Sequence, residues 1–319
     1  MTWCESQVAQ FNGNIKLDTA RKGRIEGAVQ RFQEFCDSDP ELSVAMKGSV
    51  FLQGSVATGT AVKPLRSDEF DVDVVYPFNL DAWKPRITPS QTIQWFHSRL
   101  EKSEFYKNRL LPRDRCARID YAGDFHVDVI PATSVLAERQ PYAIPAKDLG
   151  DWVKNDPQGY VDWVGVIDQR AGGKDQDGAG RFVRCCRMIK RWRDQFFSAS
   201  AGPTSILLVT MLGKHDPTIK NYSPPLSTPL YPEHQSDMAY LYDMLRLTHS
   251  CLQVGKRTAF SHPTIIDEDL SHGWDDKHLP EFMKQLRACY ENVGYGIYAK
   301  DEAESLKHYS AAFGPTFLI

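Results

Sequence analysis

The residues best suited to chemistry lie in FLQGSVATGTAVKPLRSDEFDVDVVY, which spans residues 51–76. Within it, Asp71 and Asp73 are separated by one valine. A strand places alternate side chains on the same face, so these two carboxylates are predicted to project together. Neighbouring carboxylates repel each other and are costly to desolvate unless a positive charge lies between them. Hard oxygen donors without a nearby histidine or cysteine favour Mg²⁺ or Mn²⁺ over Zn²⁺.

A glycine–serine turn precedes this acidic strand. Gly54 lets a phosphate approach the backbone, and the Ser55 hydroxyl can donate a hydrogen bond to a terminal phosphate oxygen or bind a metal. We therefore expect one end of the hairpin to hold a triphosphate and the other to hold the metals. The alternative is an edge strand with a solvated acidic face, because a D-x-D pattern alone is common.

A third carboxylate, Asp128, lies in the apolar strand DFHVDVIP, residues 124–131. Burying an aspartate in so apolar a strand is expensive, so we predict that Asp128 is the third metal ligand. His126 shares its face, and we expect a hydrogen-bonded histidine in preference to a catalytic one, since oxygen-rich metal sites rarely include histidine. Asp120 and Asp124 are predicted to be turn residues.

Helices and strands must position these residues. The apolar spacing predicts a long helix after Asp18, ending near residue 39, and a second helix capped by Ser90. Strands are predicted at 49–53, around the acidic run, at 110–121 as one continuous strand, and at 124–131. Residues 148–180 are expected to be loop-rich and to end in the linker AGGKDQDGAG.

The second half is predicted to be helical, with helices at 181–197, from 204 to 213, at about 233–254 and within 279–313. Most charges of the first of these helices are expected to be solvated. Lys190 lies beside its apolar stripe, so it is the candidate to enter a cleft. Ser205 lies at the start of the next helix, where it could contact an anion or cap the helix. The predicted organisation is α+β over 1–170 and a helical bundle over 171–319.

Composition restricts the class of protein. The chain has 319 residues and a net charge of −3, which argues against constitutive binding of duplex nucleic acid. Its seven cysteines have no C-x-x-C spacing, which favours reduced thiols in a cytoplasmic protein. No apolar run has the length of a membrane span, and the first residues lack signal-peptide features.

Several motifs together are similar to those of the DNA polymerase β-like nucleotidyltransferase superfamily. They are QGSVATGT, EFDVDVV and FHVDVIPA, followed by the softer patterns MIKRW, GPTSILL and AFGPTF. Within that superfamily, the chain most resembles the cGAS/DncV-like nucleotidyltransferases (CD-NTases) of bacterial CBASS anti-phage systems. The resemblance implies a polymerase β-like core, with a twisted mixed sheet flanked by helices, plus a C-terminal helical bundle and an active site in the cleft between them.

The resemblance also implies roles for individual residues. Asp71, Asp73 and Asp128 would bind two Mg²⁺ or Mn²⁺ ions, and Gly54 and Ser55 would bind the triphosphate. Lys190 and Ser205 would be further nucleotide contacts. Animal relatives read E-F-D at the hairpin, so Glu69 and Asp71 could be the paired ligands instead. Asp71 and Asp73 are preferred because apolar residues follow them, as in bacterial members.

The implied activity joins NTPs, with release of pyrophosphate, into a cyclic di- or trinucleotide second messenger. ATP and GTP are the expected substrates, pyrimidine NTPs are further candidates, and regulatory CBASS proteins are candidate partners. One alternative is a template-independent RNA 3′-end nucleotidyltransferase, which the charge balance disfavours. The other is a catalytically silent nucleotide-binding module, which the complete triad disfavours. Base choice, ring size, linkage, regulation and oligomeric state are not readable from the sequence.

Overall fold

A computed structural model provides the structure of the chain. It describes residues 3–65, 69–79, 87–121, 123–133, 142–219, 236–255 and 260–318. The helices are α1 Glu5–Ile15, α2 Thr19–Ser38, α3 Pro40–Ala45, α4 Gly54–Ala57, α5 Pro89–Leu100, α6 Pro157–Ala171, α7 Arg181–Phe196, α8 Ser205–Lys214, α9 Asp237–Gln253, α10 Trp274–Ile297 and α11 Glu302–Phe313, with a 3₁₀ turn at Pro315–Leu318. The strands are β1 Phe51–Gln53, β2 Phe70–Phe78, β3 Leu110–Pro112, β4 Ala117–Asp120, β5 Phe125–Thr133, β6 Tyr142–Ala146 and β7 Asp151–Asn155.

The chain divides into two compact units. The sheet unit comprises residues 17–57 and 66–161, and the helical unit comprises residues 1–16, 58–65 and 162–319. The division differs from the continuous ranges 1–170 and 171–319, because two early segments pack with the helices. The Lys63 amide, for example, donates to the Ile15 carbonyl at 2.7 Å inside the helical unit.

The sheet is mixed, and its central pair of strands is parallel. The strand order is β1-β2-β5-β4-β3, with β6 paired to β5 and to β7. β2 and β5 run parallel in register from Phe70 opposite Phe125 to Phe78 opposite Thr133, whereas β1–β2 and β4–β5 are antiparallel. The first halves of β2 and β5 alternate between buried and more exposed positions, and from Val74 and Val129 onward both strands are buried on both faces.

Helix α2 covers part of the sheet unit's core. Asp18 accepts a hydrogen bond from the Arg21 amide, which confirms the predicted helix start. Phe32 on α2 packs edge-on against Phe96 on α5, with ring centroids 6.4 Å apart. The cap of α5 is Thr88 in a capping box with Gln91; the prediction of Ser90 was wrong because Ser90 is already inside the helix.

Two further expectations about secondary structure were wrong. Residues 110–121 form two short strands, β3 and β4, paired antiparallel around a turn at 113–116, because this segment turns back on itself. The stretch expected to be loop-rich contains β7 and the helix α6. The predicted helix at 233–254 begins at Asp237 with Ser236 as its cap, and residues 233–235 lie outside the described residues.

Buried aromatic and aliphatic side chains form the core of the helical unit. Trp192 on α7 is 1% exposed and packs edge-on against Phe282 of α10, with centroids 5.8 Å apart. All seven cysteines are described, and each is a buried free thiol. None of the helices in the described ranges combines the length and apolar character needed to cross a membrane.

Candidate active site

Three aspartates lie on one face of the sheet, on its two parallel strands. Asp71 and Asp73 occupy alternate positions of β2, and Asp73 lies directly opposite Asp128 of β5. The intervening side chains of Val72 and Val127 are buried at 0% and 2% exposure. Paired strands are about 4.8 Å apart, so the parallel register places these carboxylates side by side on one face of the sheet as an acidic group.

Arg118 joins this group from the neighbouring strand β4. It lies opposite Asp128 in the antiparallel register. Its Nε and Nη2 atoms donate to the two oxygens of Asp128, each at 2.7 Å, and Nη2 lies 2.9 Å from Oδ1 of Asp71. The hydrogen bond with Asp128 raises the pKa of the guanidinium, so Arg118 is charged at any working pH.

Gly54 lies against the acidic group. It follows β1, whose last residue Gln53 is opposite Asp73 in the antiparallel pairing. Gly54 has a φ of +65°, and a Cβ there would lie 2.3 Å from Oδ2 of Asp73. Only glycine permits both this backbone conformation and this approach. Ser55 follows within α4, so the sheet unit brings both turn residues and all three aspartates together.

This group fits divalent cations. Its donors are carboxylate oxygens, which Mg²⁺ and Mn²⁺ prefer. The carboxylate of Asp73 is half-buried beside Gly54, where a Cβ would fill the space. A guanidinium already neutralises Asp128, which indicates that the site needs positive charge. Asp71, Asp73 and Asp128 are therefore the residues that would hold the metals.

A second cluster lies near the starts of β2 and β5 and at the end of β4. Glu69, Asp120 and His126 each offer a ligand atom within 4.8 Å of the others. His126 Nδ1 lies 2.6 Å from Oε2 of Glu69, and Oε1 of Glu69 accepts from the Gly123 amide at 2.8 Å. A close contact with the His126 ring and a backbone hydrogen bond thus account for the carboxylate of Glu69. Asp124 pairs with Arg24 in the turn before β5.

Lys190 belongs to the helical unit, where α7 contacts segment 58–65 through a row of cations. Lys190 Nζ donates to the Thr60 carbonyl at 3.1 Å. Arg187 donates to the Gly59 carbonyl and Arg191 to the Lys63 carbonyl, each at 2.8 Å. Burial lowers the pKa values of both arginines.

The expectation that most charges of α7 are solvated was therefore wrong. Arg184, Arg187, Lys190 and Arg191 are each at most 9% exposed. They are buried because backbone carbonyls accept hydrogen bonds from all four of them and Asp237 also forms a two-point ion pair with Arg184.

Ser205 is the first residue of α8, and the helix cap is its neighbour Thr204. Thr204 accepts a hydrogen bond from the Leu207 amide. The hydroxyl of Ser205 accepts instead from Arg193 at 3.1 Å. Ser205 thus lies at a helix start, as its sequence position indicates, with a cationic neighbour.

Arg118 is the residue of this site that sequence reasoning did not single out. The signal was present: in CARID, the arginine occupies the same strand face as Asp120, among buried apolar neighbours. Burying a lone cation in an apolar strand is costly unless an anion pairs with it, just as burying Asp128 is costly without a cation.

Comparison with known proteins gives a family and a fold. Residues 1–166 match the family model of the Second Messenger Oligonucleotide or Dinucleotide Synthetase (SMODS) domain. The chain is 28% identical over 319 aligned residues to a c-di-GMP synthase of Roseivirga ehrenbergii, covering 92% of this chain and 78% of that protein.

Solved structures share the fold at low sequence identity. The CD-NTase CdnG of Bradyrhizobium diazoefficiens, in complex with GTP, superposes with a TM-score of 0.74 at 14% identity, covering 98% of this chain and 96% of that one. The cyclic AMP-GMP synthase DncV of Vibrio cholerae, in complex with a linear intermediate, gives 0.67 at 18% identity, covering 99% and 97%. The likeness confirms the predicted α+β nucleotidyltransferase fold.

Proposed function

The chain belongs to the SMODS family of second messenger oligonucleotide or dinucleotide synthetase domains, and on that premise we propose that it joins nucleoside triphosphates into a cyclic di- or trinucleotide. The observation that carries this proposal is the in-register pairing of Asp73 with Asp128, beside Asp71 and against Gly54. This arrangement supports a nucleotidyltransferase active site on the sheet.

The proposed reaction is attack by a ribose hydroxyl of one nucleotide on the α-phosphorus of another. The new phosphodiester bond forms as the bond to pyrophosphate breaks. Two Mg²⁺ or Mn²⁺ ions, when bound, would polarise the attacking hydroxyl and neutralise charge on the leaving group. Asp71, Asp73 and Asp128 would hold these ions, and their fixed strand positions would contribute mainly orientation.

Phosphate binding is assigned to the turn that follows β1. Gly54 leaves room beside Asp73, and the Ser55 hydroxyl would donate to a phosphate oxygen. Lys190 and Ser205 are proposed as further nucleotide contacts. Family resemblance supports these two assignments, although each side chain also has a protein partner, Thr60 and Arg193 respectively.

The identity of the cyclic nucleotide and of the partner proteins is part of the same proposal. The c-di-GMP synthase relative supports GTP as the first substrate to test, followed by ATP and the pyrimidine NTPs. A role in anti-phage defence, regulation by CBASS proteins and a cytoplasmic location stay predictions from the sequence. The choice between Asp73 and Glu69 as the partner of Asp71 favours Asp73, because Asp73 lies directly opposite Asp128 on the parallel strand, whereas Glu69 precedes β2 and lies against His126.

Incubation with labelled NTPs and Mg²⁺ or Mn²⁺, without RNA, tests the function. A cyclic product has no terminal phosphate, so we expect a phosphatase-resistant species whose mass matches a cyclic di- or trinucleotide. The same reaction with an added RNA 3′ end tests the alternative. Extension of the RNA, with no species that has the mass of a cyclic di- or trinucleotide, would replace the synthase proposal by a tailing activity.

A further inference from the structure

Arg118 places a permanent positive charge among the carboxylates of the active site. Its guanidinium engages both oxygens of Asp128 and one oxygen of Asp71, so it connects strands β5 and β2 through their carboxylates. The side chains of Arg118 and Asp128 are 14% and 13% exposed, whereas that of Asp71 is 55% exposed. The two-point bond to Asp128 is therefore shielded from solvent, whereas the bond to Asp71 is exposed to solvent.

This contact changes the charge that a metal ion encounters at the site. Three carboxylates alone carry a formal charge of −3, and the guanidinium brings the group to −2. A two-point guanidinium–carboxylate pair is short, directional and stronger than a neutral hydrogen bond. An ion that takes oxygens of Asp128 and Asp71 must therefore share them with Arg118 or displace it.

We propose that Arg118 is a positioning residue that aligns Asp128 and competes with divalent cations for the oxygens of Asp71 and Asp128. This rests on the proposed use of metals by the same site. Arg118 holds the acidic strands together before a metal enters, and it weakens metal binding to the nucleotide-free protein. The negative charge of an arriving triphosphate offsets that weakening, so metal binding becomes coupled to substrate binding.

Binding of Mn²⁺ to nucleotide-free protein, followed by electron paramagnetic resonance, tests the competition. We expect Arg118→Gln to bind Mn²⁺ about tenfold more tightly, because removing one nearby positive charge strengthens attraction for a divalent ion. Arg118→Lys keeps the charge and should bind within about threefold of the wild type. Arg115→Gln is the matched control, since Arg115 is exposed and pairs with Asp148.

The outcomes separate this proposal from the proposed function. Unchanged or weaker Mn²⁺ binding by Arg118→Gln would overturn the competition. If Asp73→Asn bound Mn²⁺ as well as the wild type does, the metal site itself, and with it the proposed function, would fail. The alignment role predicts that Arg118→Lys, which loses the two-point contact, has a lower kcat with little change in its metal requirement; an unchanged kcat would refute it.

A measurement on the wild-type protein covers the case in which Arg118→Gln does not fold. The Nε–H resonance of Arg118 reports its bond to Asp128, and the Arg118→Lys spectrum identifies that resonance by its loss. We expect the resonance to shift progressively as Mg²⁺ is added. A resonance that stays fixed at saturating Mg²⁺ would show that the guanidinium and the metal do not share oxygens.

Discussion

Several residues of this site make contacts that other side chains could not make in the same place. Gly54 combines a left-handed backbone with a Cα that faces the Asp73 carboxylate. Arg118 places three short contacts on two aspartates. Because these contacts involve atoms on different strands, small changes in one side chain move a carboxylate on which the proposed reaction depends.

Gly54→Ala tests this dependence. The new Cβ would force the Asp73 carboxylate to move, and the left-handed backbone adds about 1 kcal/mol of strain. We expect a folded protein whose rate of product formation falls at least tenfold. Gly48→Ala is the matched control, since Gly48 has a φ of +91° and open space around its Cα. A Gly54→Ala protein with the wild-type rate would remove Gly54 from the site.

At the level of elements, local sequence patterns predicted many of the helices and strands. The cap at Asp18, the acidic strand and the helix around Lys190 follow from local sequence, and all three elements are present. Helix α6 was missed although Tyr160, Val164, Ile167 and Ala171 have helical spacing and are buried. Two glycines in the same stretch lower helix propensity and made it look like a loop.

The partners of buried charges could not be predicted from local patterns. Arg118 meets Asp128 only through the pairing of β4 with β5, and Arg187 meets Gly59 only through long-range packing. A sequence shows that a cation sits among apolar residues, but its partner depends on tertiary contacts. For this reason, the aspartates were singled out from sequence and the residue that neutralises them was not.

The junction of α3 with α5 provides a pH-dependent element. Asp39 accepts from the Glu41 and Leu42 amides at 3.0 and 2.9 Å, and it forms a buried ion pair with Arg99. Burial acts to raise its pKa, but the Arg99 hydrogen bond and the backbone amides outweigh burial and lower it. A lowered pKa stabilises the fold above the unfolded-state value of about 3.9 and is lost as pH falls through the folded-state value.

We therefore expect Asp39→Asn to lower the free energy of unfolding by about 3 kcal/mol at pH 7, because Arg99 loses its buried partner. The difference from the wild type should shrink as the pH falls below about 3.9, where the carboxylate is protonated first in the unfolded state and then, through its lowered pKa, in the folded state. Urea unfolding between pH 7 and pH 3 measures both effects. A difference that stayed constant over that range would show that ionisation of Asp39 does not stabilise the fold.

At the scale of the whole molecule, chain order and compact units do not coincide. Residues 1–16 and 58–65 belong to the helical unit although both precede most of the sheet. Helix α7 contacts the second of these segments through carbonyls of Gly59, Thr60 and Lys63. Composition pointed to a linker at residues 171–180, which lie inside the helical unit, and it carries no record of such returns of the chain, so the two units were not predictable as continuous ranges.

The distribution of cysteines makes a prediction about the whole fold. All seven thiols are at most 7% exposed, and burial raises the pKa of the Cys36, Cys116, Cys185 and Cys289 thiols among others. Buried, protonated thiols are poor nucleophiles. We expect Ellman's reagent to label the native protein slowly and the urea-unfolded protein rapidly at seven sites per chain. Rapid labelling of several thiols in the native protein would contradict this packing.

The most direct test of the account is product formation by Asp128→Asn, measured by mass spectrometry after incubation with all four NTPs and Mg²⁺ or Mn²⁺. Asp124→Asn is the control, since Asp124 pairs with Arg24 outside the carboxylate group. We predict a cyclic oligonucleotide from the wild type and the control, and at least a thousandfold less from a folded Asp128→Asn protein. Product at the wild-type rate from Asp128→Asn would contradict the assignment of the catalytic carboxylates.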